Sequence, residues 1–339
     1  MFAATDMRLD PRHGGVERAA HYLAEGRLVG IPTETVYGLG GDAANPAAIA
    51  AIYAAKGRPA NHPVIVHLPP GGDPLRWAAR LPDAARRLID AFWPGPLTLI
   101  LPRAAHVDAM VSGGQDSVGL RCPSHPLAQA LLKAFSAQVG GQGGVAAPSA
   151  NRFGRVSPTT AQHVLDEFKA TIPVLDGGPC EVGIESTIVD LSRGFPALLR
   201  PGHIGPARLA EVLGEMPRLP GADAPRASGT LSAHYAPDTP VRLLPAAQLL
   251  GELAQASAGL LAAVLRETTR EQLAPRADLT VIAAPTEAEA YAQALYAMLR
   301  RLDAGGFTRI YVELLPDTPE WQAVNDRLGR AAAAFRSAS

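Results

Sequence analysis

Residues 28–59 have the sequence LVGIPTETVYGLGGDAANPAAIAAIYAAKGRP, and the order of elements in this stretch decides the fold class. An apolar strand over 28–31 runs into a segment of hydroxyls and glycines. A helix is predicted over 46–55, because its apolar residues recur at the spacing of one helix face. The alternation of strands and helices continues to about residue 205. We therefore predict an α/β domain whose sheet contains strands of mixed direction.

Further elements are predicted on both sides of this stretch from runs of apolar residues. Helices are expected over 16–25 and 126–137, and a third, capped by Thr159 or Thr160, is expected to run to Lys169. The remaining strands of the first domain are expected at 64–68, 97–101, 117–121, 144–147, 172–175, 186–191 and 197–199.

The sequence changes character in residues 214–232, which are rich in Pro, Gly, Ala and Arg and show little periodicity. This composition predicts a linker. Beyond it, a small Rossmann-like three-layer α/β domain is predicted, without a Gly-x-Gly-x-x-Gly segment and therefore without an assigned dinucleotide. Its strands are expected at 241–244, 259–265, 279–283 and 309–314, and its helices at 246–256, 287–302 and 320–335. The predicted division is a first domain over 1–205, a linker over 206–238 and a second domain over 239–339.

Composition limits the classes of function. The 339 residues are enough for two domains or one large one, and 47% apolar residues suffice for ordinary cores. The formal net charge of −1 gives no overall basic field to attract nucleic acid, although a local basic patch stays open. Cys122 and Cys180 form no Cys-x-x-Cys pair, so a zinc cluster or a disulfide framework is not expected. Sparse cysteine, the absence of a signal-like core in 1–14 and the absence of an apolar run of roughly 18 residues indicate a cytoplasmic protein.

Three short polar segments follow predicted elements and are candidates for a small-molecule site: Pro32–Gly40, Lys56–Pro59 and Ala147–Asn151. Each has a plainer interpretation. The first could be a turn with capping threonines, and the two cations of the second could complement a helix dipole instead of clamping phosphate. The third, with the residues up to Ser157, forms a strand, a loop and a helix start that could seat a phosphate.

Two arginines lie at the ends of predicted strands. Arg121 suits a carboxylate ligand because its planar fork binds one bidentately, and a structural salt bridge is the alternative. Arg200 places a cation at the end of another strand. Farther along, 234–237 brings aromatic residues into an otherwise bland linker, where they could close over the first domain or simply anchor the two domains.

Taken together and in order, these segments resemble the YrdC-like family, the threonylcarbamoyl-AMP synthases. The matching stretches are Pro32–Gly40, Lys56–Pro59, Pro63–His67, Trp93–Thr98, Val118–Pro126, Ala147–Asn151, Gly183–Ile188 and Leu199–Gly202. The segment 234–237 and the second domain resemble the long, two-domain form of the family. The resemblance implies a twisted mixed sheet with a large cleft in the first domain.

The resemblance also implies a reaction, in which L-threonine, bicarbonate and ATP give L-threonylcarbamoyladenylate and pyrophosphate for the t6A modification of tRNA. Lys56 and Arg58 are the expected catalytic cations on the triphosphate, with Mg²⁺ bridging phosphates. By resemblance, ATP would contact Lys56, Arg58, Ser117, Ser149, Ser157, Arg200 and Tyr235. Threonine would contact Thr35, His67, Arg121, the backbone of Ala147, and Ser186.

One position departs from the family pattern, since His62 stands before Pro63 where Asn is common and Asn61 precedes it. This departure leaves an ATP contact at that position open. Because a carbamate and a mixed anhydride hydrolyse readily, the linker with Tyr235 is a candidate lid. The expected partners are the small substrates and a tRNA threonylcarbamoyl-transferase complex that receives the product, with weak binding of tRNA or double-stranded RNA left open.

Three other functions compete with the synthase. A non-catalytic RNA-binding module is disfavoured by the near-neutral charge and the lack of interleaved aromatic residues. A role like that of hydrogenase-maturation proteins with a related domain would require acylphosphatase-like and zinc-cysteine modules that this sequence lacks. A paralogue that senses threonine without turnover is disfavoured by the presence of Lys56, Arg58 and Ser149 together.

Overall fold

The computed structural model describes residues 7–256 and 259–335. Part of the stretch in which a signal segment was sought, residues 1–6, lies outside the described residues. Within them, no helix has both the length and the apolar character needed to cross a membrane.

The helices of the described chain are α1 (Gly15–Ala24), α2 (Pro46–Lys56), α3 (Asp83–Phe92), α4 (Pro126–Gln138), α5 (Ala161–Glu167), α6 (Pro206–Leu213), α7 (Ala246–Gln255), α8 (Glu267–Arg270), α9 (Ala288–Asp303) and α10 (Gln322–Ala333). The strands are β1 (Arg8–Leu9), β2 (Val29–Ile31), β3 (Gly38–Asp42), β4 (Ile65–His67), β5 (Leu97–Pro102), β6 (Ser117–Arg121), β7 (Val145–Ala146), β8 (Val174–Leu175), β9 (Thr187–Asp190), β10 (Ala197–Arg200), β11 (Val241–Leu244), β12 (Leu261–Leu265), β13 (Leu279–Ala283) and β14 (Arg309–Glu313).

The first sheet is mixed, as the sequence predicts. Within the described residues its order is β1-β8-β2-β3-β7-β4-β6-β5-β9-β10. β4 and β6 run parallel and place His67 directly beside Arg121, whereas β5 pairs antiparallel with β6 and parallel with β9. Buried apolar side chains from α2, α3 and α6 pack against the central strands, and α1 and α4 pack together in a second cluster.

Helix α2 shows how local sequence positions the site. The Asn45 side chain caps its start by accepting from the backbone N–H groups of Ala47 and Ala48, and Pro46 occupies the first turn. Gly57 ends it in the left-handed region at φ +60°. This C-cap turns the chain sharply, and it leaves Lys56 as the last helical residue and Arg58 just beyond it.

Several elements differ from the expectation, among them β1 and α8, which were not predicted. The segment Pro32–Gly40 was predicted as a polar loop, but its last residues open strand β3, whose glycine-rich sequence is atypical of a strand. Helix α3 was not predicted. Residues 206–213, at the start of the predicted linker, form α6, whose Leu209 and Leu213 are buried in the first core.

The second sheet is parallel throughout, in the order β11-β14-β12-β13. Leu249 and Leu253 of α7 share a cluster with alternate residues of the sheet, while Ala262 and Val264 alternate with that set and are also buried. Apolar residues are thus buried on both faces of the sheet, as a three-layer α/β domain requires.

The chain divides into two compact units. The first consists of 1–153 and 157–230, and the second of 154–156 and 231–339. In the second unit, Arg155 forms a parallel bridge with Ala236, and the backbone N–H of Ala236 donates to Gly154 O at 2.9 Å. The short segment 154–156 is therefore a structural part of the second unit.

Candidate active site

Lys56, at the end of α2, is held against the loop that follows β7. Its Nζ donates to the carbonyl oxygen of Ser149 at 2.6 Å and to that of Asn151, and the residue is only 2% exposed. Burial and the nearby charge of Arg58 keep the pKa of Lys56 well below its usual value, although Glu167 and Glu185 act in the opposite direction. The structure thus joins two of the predicted segments through one ammonium group.

Arg58 and Arg200 come from distant parts of the first unit and donate to the same residue, Ser228. Arg58 Nη2 donates to Ser228 Oγ at 3.1 Å and to Pro63 O at 2.8 Å. Arg200 Nη1 donates to Ser228 O at 2.7 Å. Both arginines are buried. Two of the predicted phosphate-binding cations therefore converge on one point.

Ser117, at the start of β6, lines a recess beside this point. The recess is also lined by Gly119, Ile188, Arg226 and Ser228. A Cβ on Gly119 would lie 3.2 Å from Ile100 Cδ1 and 3.3 Å from Ile65 Cγ1, so glycine lets these two side chains pack closely against β6. Ser228 thus lines the recess together with Ser117 and also contacts both arginines.

Arg121 ends β6, and every nitrogen of its guanidinium faces protein. Nη1 donates to Thr35 Oγ1 at 2.8 Å, Nε donates to Gly95 O at 3.3 Å, and Nη2 forms an ion pair with Glu34 Oε1 at 2.7 Å. Thr35 is fixed in turn by Thr33, whose Oγ1 lies 2.9 Å from Thr35 Oγ1. The structure therefore brings Arg121 and Thr35 into contact, and Arg121 also forms the salt bridge that the sequence left as an alternative.

Glu34 and His67 complete this buried cluster. Burial raises the pKa of Glu34, but the positive charge of Arg121 outweighs it, so the pKa lies below its usual value. Burial, together with the charge of Arg121, lowers the pKa of His67 to about 3. His67 is consequently neutral near pH 7, and Nδ1, 3.3 Å from Ile65 O, is the ring nitrogen placed to donate to that carbonyl.

Ser186, just before β9, contacts Thr98 and Arg200. Its hydroxyl lies 2.7 Å from Thr98 Oγ1, and Arg200 donates to its carbonyl from Nε at 3.0 Å and from Nη2 at 2.9 Å. Arg200 Nη2 also lies 3.2 Å from the Ser186 hydroxyl. A residue predicted for threonine and one predicted for ATP are thus in direct contact.

The loop after β7 is supported by backbone pairing. Ala147 N donates to Ile65 O at 3.0 Å, and Ser149 bridges to Gly38 of β3. Gly38 permits this approach, because a Cβ there would lie 3.0 Å from that of Ala147. Ser157, by contrast, is buried with its hydroxyl 2.5 Å from Glu185 Oε1.

Tyr235 belongs to the second unit. It is 1% exposed and has a left-handed φ of +61°, with its ring 5.7 Å from that of Tyr296 and the guanidinium carbon of Arg327 5.3 Å from its centroid. The predicted ATP contact of Tyr235 stays a prediction.

Two residues of these clusters received no role from the sequence. Ser228 stood in a stretch classed as a linker, and Glu34 was seen only as a negative group beside two threonines. Ser228 lies 170 positions from Arg58, and no local pattern reports a contact of that range. The sequence offered one indication for Glu34, because its carboxylate is flanked by two threonine hydroxyls directly after a buried strand.

Among the described residues, no group of three or more His, Cys, Asp or Glu side chains is arranged to hold a metal ion. The side-chain donors at and beside the recess are the guanidinium groups of three arginines and the hydroxyls of two serines: Arg58, Arg200, Arg226, Ser117 and Ser228. This set suits an anion better than a metal cation.

Fold and site together define a class: an α/β protein in which buried arginines, a lysine and hydroxyls of one mixed sheet form a candidate small-molecule site. Two family comparisons make this more specific. Residues 21–202 match the family Sua5_yciO_yrdC, described as telomere recombination. Residues 204–333 match the C-terminal domain of threonylcarbamoyl-AMP synthase. The chain belongs to this Sua5/YrdC family, in its two-domain form.

Individual relatives agree over nearly the whole length. Threonylcarbamoyl-AMP synthase of Bacillus subtilis (strain 168) is 35% identical over 328 residues, which cover 94% of this chain and 92% of that protein. The structure is similar to a doubly substituted Pyrococcus abyssi Sua5, with a TM-score of 0.85, 31% identity and coverage of 98% of this chain and 97% of the other. P. abyssi Sua5 in complex with L-threonine gives a TM-score of 0.81 at 32% identity, with 95% of each chain covered.

Proposed function

We propose that this chain is an L-threonylcarbamoyladenylate synthase, which converts L-threonine, bicarbonate and ATP into threonylcarbamoyl-AMP and pyrophosphate. The observation that carries the proposal is the convergence of Arg58 and Arg200 on Ser228, while Arg200 also contacts Ser186. A cation-lined place for a polyphosphate is thereby connected to a place for an amino acid. The relatives named threonylcarbamoyl-AMP synthase support the same reaction.

The chemistry needs positioning and charge neutralisation more than acid–base catalysis. A carbamate oxygen of N-carboxythreonine forms a bond to the α-phosphorus of ATP, and the bond to the pyrophosphate oxygen breaks. Negative charge develops on the leaving pyrophosphate, where Arg58 and Lys56 would stabilise it. A polyphosphate beside Nζ would raise the pKa of Lys56 again, because an opposite charge favours the ammonium form.

Arg200 is proposed to align the two substrates. Its Nε and Nη2 are occupied by Ser186, and its Nη1 reaches Ser228 on the recess side. A guanidinium fixed in this way would place its positive charge beside the phosphates with little loss of side-chain entropy. Ser117 and Ser149 would supply hydroxyl contacts to ATP, and Arg121 with Thr35 would take the threonine carboxylate.

Mg²⁺ is proposed to enter as part of the ATP complex. The described residues around the recess do not form a carboxylate cage for Mg²⁺. The phosphates of ATP would therefore supply ligands to the ion in place of protein carboxylates. The ion would neutralise phosphate charge. The product would then pass to a tRNA threonylcarbamoyl-transferase complex in the cytoplasm for the t6A modification.

The test is to incubate the purified full chain with ATP, Mg²⁺ and bicarbonate, with and without L-threonine, and to measure pyrophosphate and the adenylate by mass spectrometry. Formation of threonylcarbamoyl-AMP that depends on threonine and bicarbonate is expected. Pyrophosphate release that is independent of threonine would reject the proposal. No pyrophosphate release, although both substrates bind, would reject it in favour of a threonine sensor.

A further inference from the structure

Glu34 and Arg121 form a buried ion pair that the proposed reaction does not by itself require. Their side chains are 4% and 5% exposed, and Glu34 Oε1 lies 2.7 Å from Arg121 Nη2. Glu34 is held in place through its backbone, because Val182 N donates to its carbonyl oxygen at 2.8 Å. A charge pair removed from water to this extent costs free energy unless its hydrogen bonds are completed.

The hydrogen bonds of this pair are incomplete. The contact between the two groups is short, but its angles depart from those of a hydrogen bond. Among the described residues, neither of the two Glu34 carboxylate oxygens has a partner with hydrogen-bond geometry, and Arg121 Nη2 has none either. Nη1 and Nε, by contrast, are satisfied by Thr35 and Gly95. The groups that can still form hydrogen bonds are thus one donor, Arg121 Nη2, and one acceptor, the Glu34 carboxylate, and they lie side by side.

The electrostatics of the cluster sharpen this picture. Burial and Arg121 keep His67 neutral, since its pKa is lowered to about 3. Burial and the charge of Glu34 raise the pKa of the Cys122 thiol to about 11, and burial likewise raises the pKa of the Cys180 thiol. Glu34 and Arg121 are therefore the two charges of the cluster near pH 7, and they cancel.

A neutral site with adjacent positive and negative edges is complementary to a zwitterion. An α-amino acid carries its carboxylate and its ammonium group on one carbon, at a separation that matches two adjoining partners. A simple anion would gain from Arg121 but would be repelled by Glu34 at short range. A carboxylate with a lowered pKa is also a weak base, so its fit is to recognition and not to proton transfer.

The geometry points to Glu34 as a specificity-determining residue: it accepts the α-ammonium group of the amino-acid substrate while Arg121 takes the carboxylate, so that the site selects an α-amino acid over a hydroxy acid. This inference rests on the proposed function, and it adds the group that recognises the amine. Charge-assisted hydrogen bonds are worth enough to shift a dissociation constant by about 10- to 100-fold.

The experiment compares L-threonine with 3-hydroxybutyrate, which keeps the carboxylate and the hydroxyl but lacks the amine. Calorimetry on the full chain is expected to give a dissociation constant for 3-hydroxybutyrate about 10- to 100-fold above that for threonine. In Glu34→Gln, the dissociation constant of threonine is expected to rise by about that factor, and the dissociation constant of 3-hydroxybutyrate is expected to change by less than about threefold. Glu34→Asp is expected to restore part of the preference.

Asp190→Asn is the matched control, since Asp190 is a fully buried carboxylate paired with Arg193 outside this cluster. It should leave the ratio of the two dissociation constants unchanged. Equal weakening of both ligands in Glu34→Gln would show a purely structural role and overturn the inference. If Glu34→Gln does not fold, the wild-type ratio decides: binding of 3-hydroxybutyrate within about threefold of threonine also overturns it.

This outcome is separable from the proposed function. If the wild type forms threonylcarbamoyl-AMP but Glu34→Gln keeps the preference for threonine, only the role of Glu34 fails. If the wild type binds threonine with the expected preference but forms no adenylate, the synthase reaction fails and the recognition of the amine stands.

Discussion

At the scale of single residues, the shared contact of Arg58 and Arg200 with Ser228 explains why arginine and not lysine is needed. Arg58 Nη2 donates to both Pro63 and Ser228, and a lysine at this position would replace the planar fork by a point charge that binds phosphate oxygens with less geometric specificity. We expect Arg58→Lys to raise the KM for ATP by about 10- to 100-fold, with the KM for threonine changed by less than about threefold. Pyrophosphate release at varied ATP and varied threonine measures both constants.

Arg87→Lys provides the control for this prediction. Arg87 Nη2 also donates to a backbone carbonyl, that of Leu213 at 3.1 Å, but it lies on α3 outside the site. The KM of the Arg87→Lys enzyme for ATP should equal that of the wild type. An Arg58→Lys enzyme that keeps the wild-type KM for ATP would contradict a phosphate-binding role for this residue.

His67 gives a second residue-scale prediction, on stability. Its folded-state pKa is about 3 because of burial, against 6.5 in the unfolded chain, so between these values the unfolded state binds a proton that the native state does not. This group therefore lowers the free energy of unfolding by about 1.4 kcal/mol for each pH unit as pH falls through that window. Urea unfolding of His67→Gln between pH 6.5 and 4.5 should show a shallower loss than the wild type. Substituting His203, an exposed histidine, should leave the pH slope at its wild-type value; identical slopes for wild type and His67→Gln would refute the assignment.

At the scale of elements, two glycines that follow β10 differ in how closely other atoms surround them. A Cβ on Gly202 would lie 2.4 Å from Thr187 N and 2.8 Å from the carbonyl carbon of Ser186, so alanine there must displace the start of β9. We expect Gly202→Ala to lower the free energy of unfolding by about 1–3 kcal/mol and to reduce kcat/KM, because Ser186 holds Arg200. Chemical denaturation and the adenylate assay test the two effects.

Gly205→Ala is the matched control, since nothing lies within 4 Å of a Cβ there and its φ of −74° suits any residue. It should cost less than about 1 kcal/mol, as a change at a helix N-cap, and keep full activity. Equal effects of the two substitutions would contradict the packing argument.

The elements also show what the sequence could predict. Strands such as β6 and β13 have the predicted bounds, because β-branched and apolar residues lie between clear breaks. β3 escaped prediction because Gly-Leu-Gly-Gly has little strand propensity, and the glycines are needed where Ile31 and Ile52 pack against the strand. The same limit applies to the site: Lys56, Arg58 and Arg121 stood out by local chemistry, whereas the partnership of Ser228 with two arginines depends on tertiary contacts alone.

At the scale of the whole molecule, the chain consists of two units with separate cores, and the segment 226–230 belongs to the first. Arg226 fixes this segment by donating from Nε to Asn61 O and from Nη2 to Gly113 O, each at 3.1 Å. The first unit therefore extends beyond residue 205, where the sequence predicts the end of the first domain.

Hydrogen exchange on the full chain tests this extent. With MgATP and L-threonine bound, amides of 115–121 and of 226–230 should become protected by at least about tenfold, because binding stabilises the native state of the unit that holds the ligands. Amides of β12 and β13 should exchange at the rate of the free protein, which makes the second sheet an internal control. Protection that also covers 234–236 would support the proposed role of Tyr235 as an ATP contact and of its segment as a lid, whereas unchanged exchange there would reject both. Protection confined to residues before 205 would refute the inclusion of Ser228 in the ATP site and return the segment 226–230 to a plain linker.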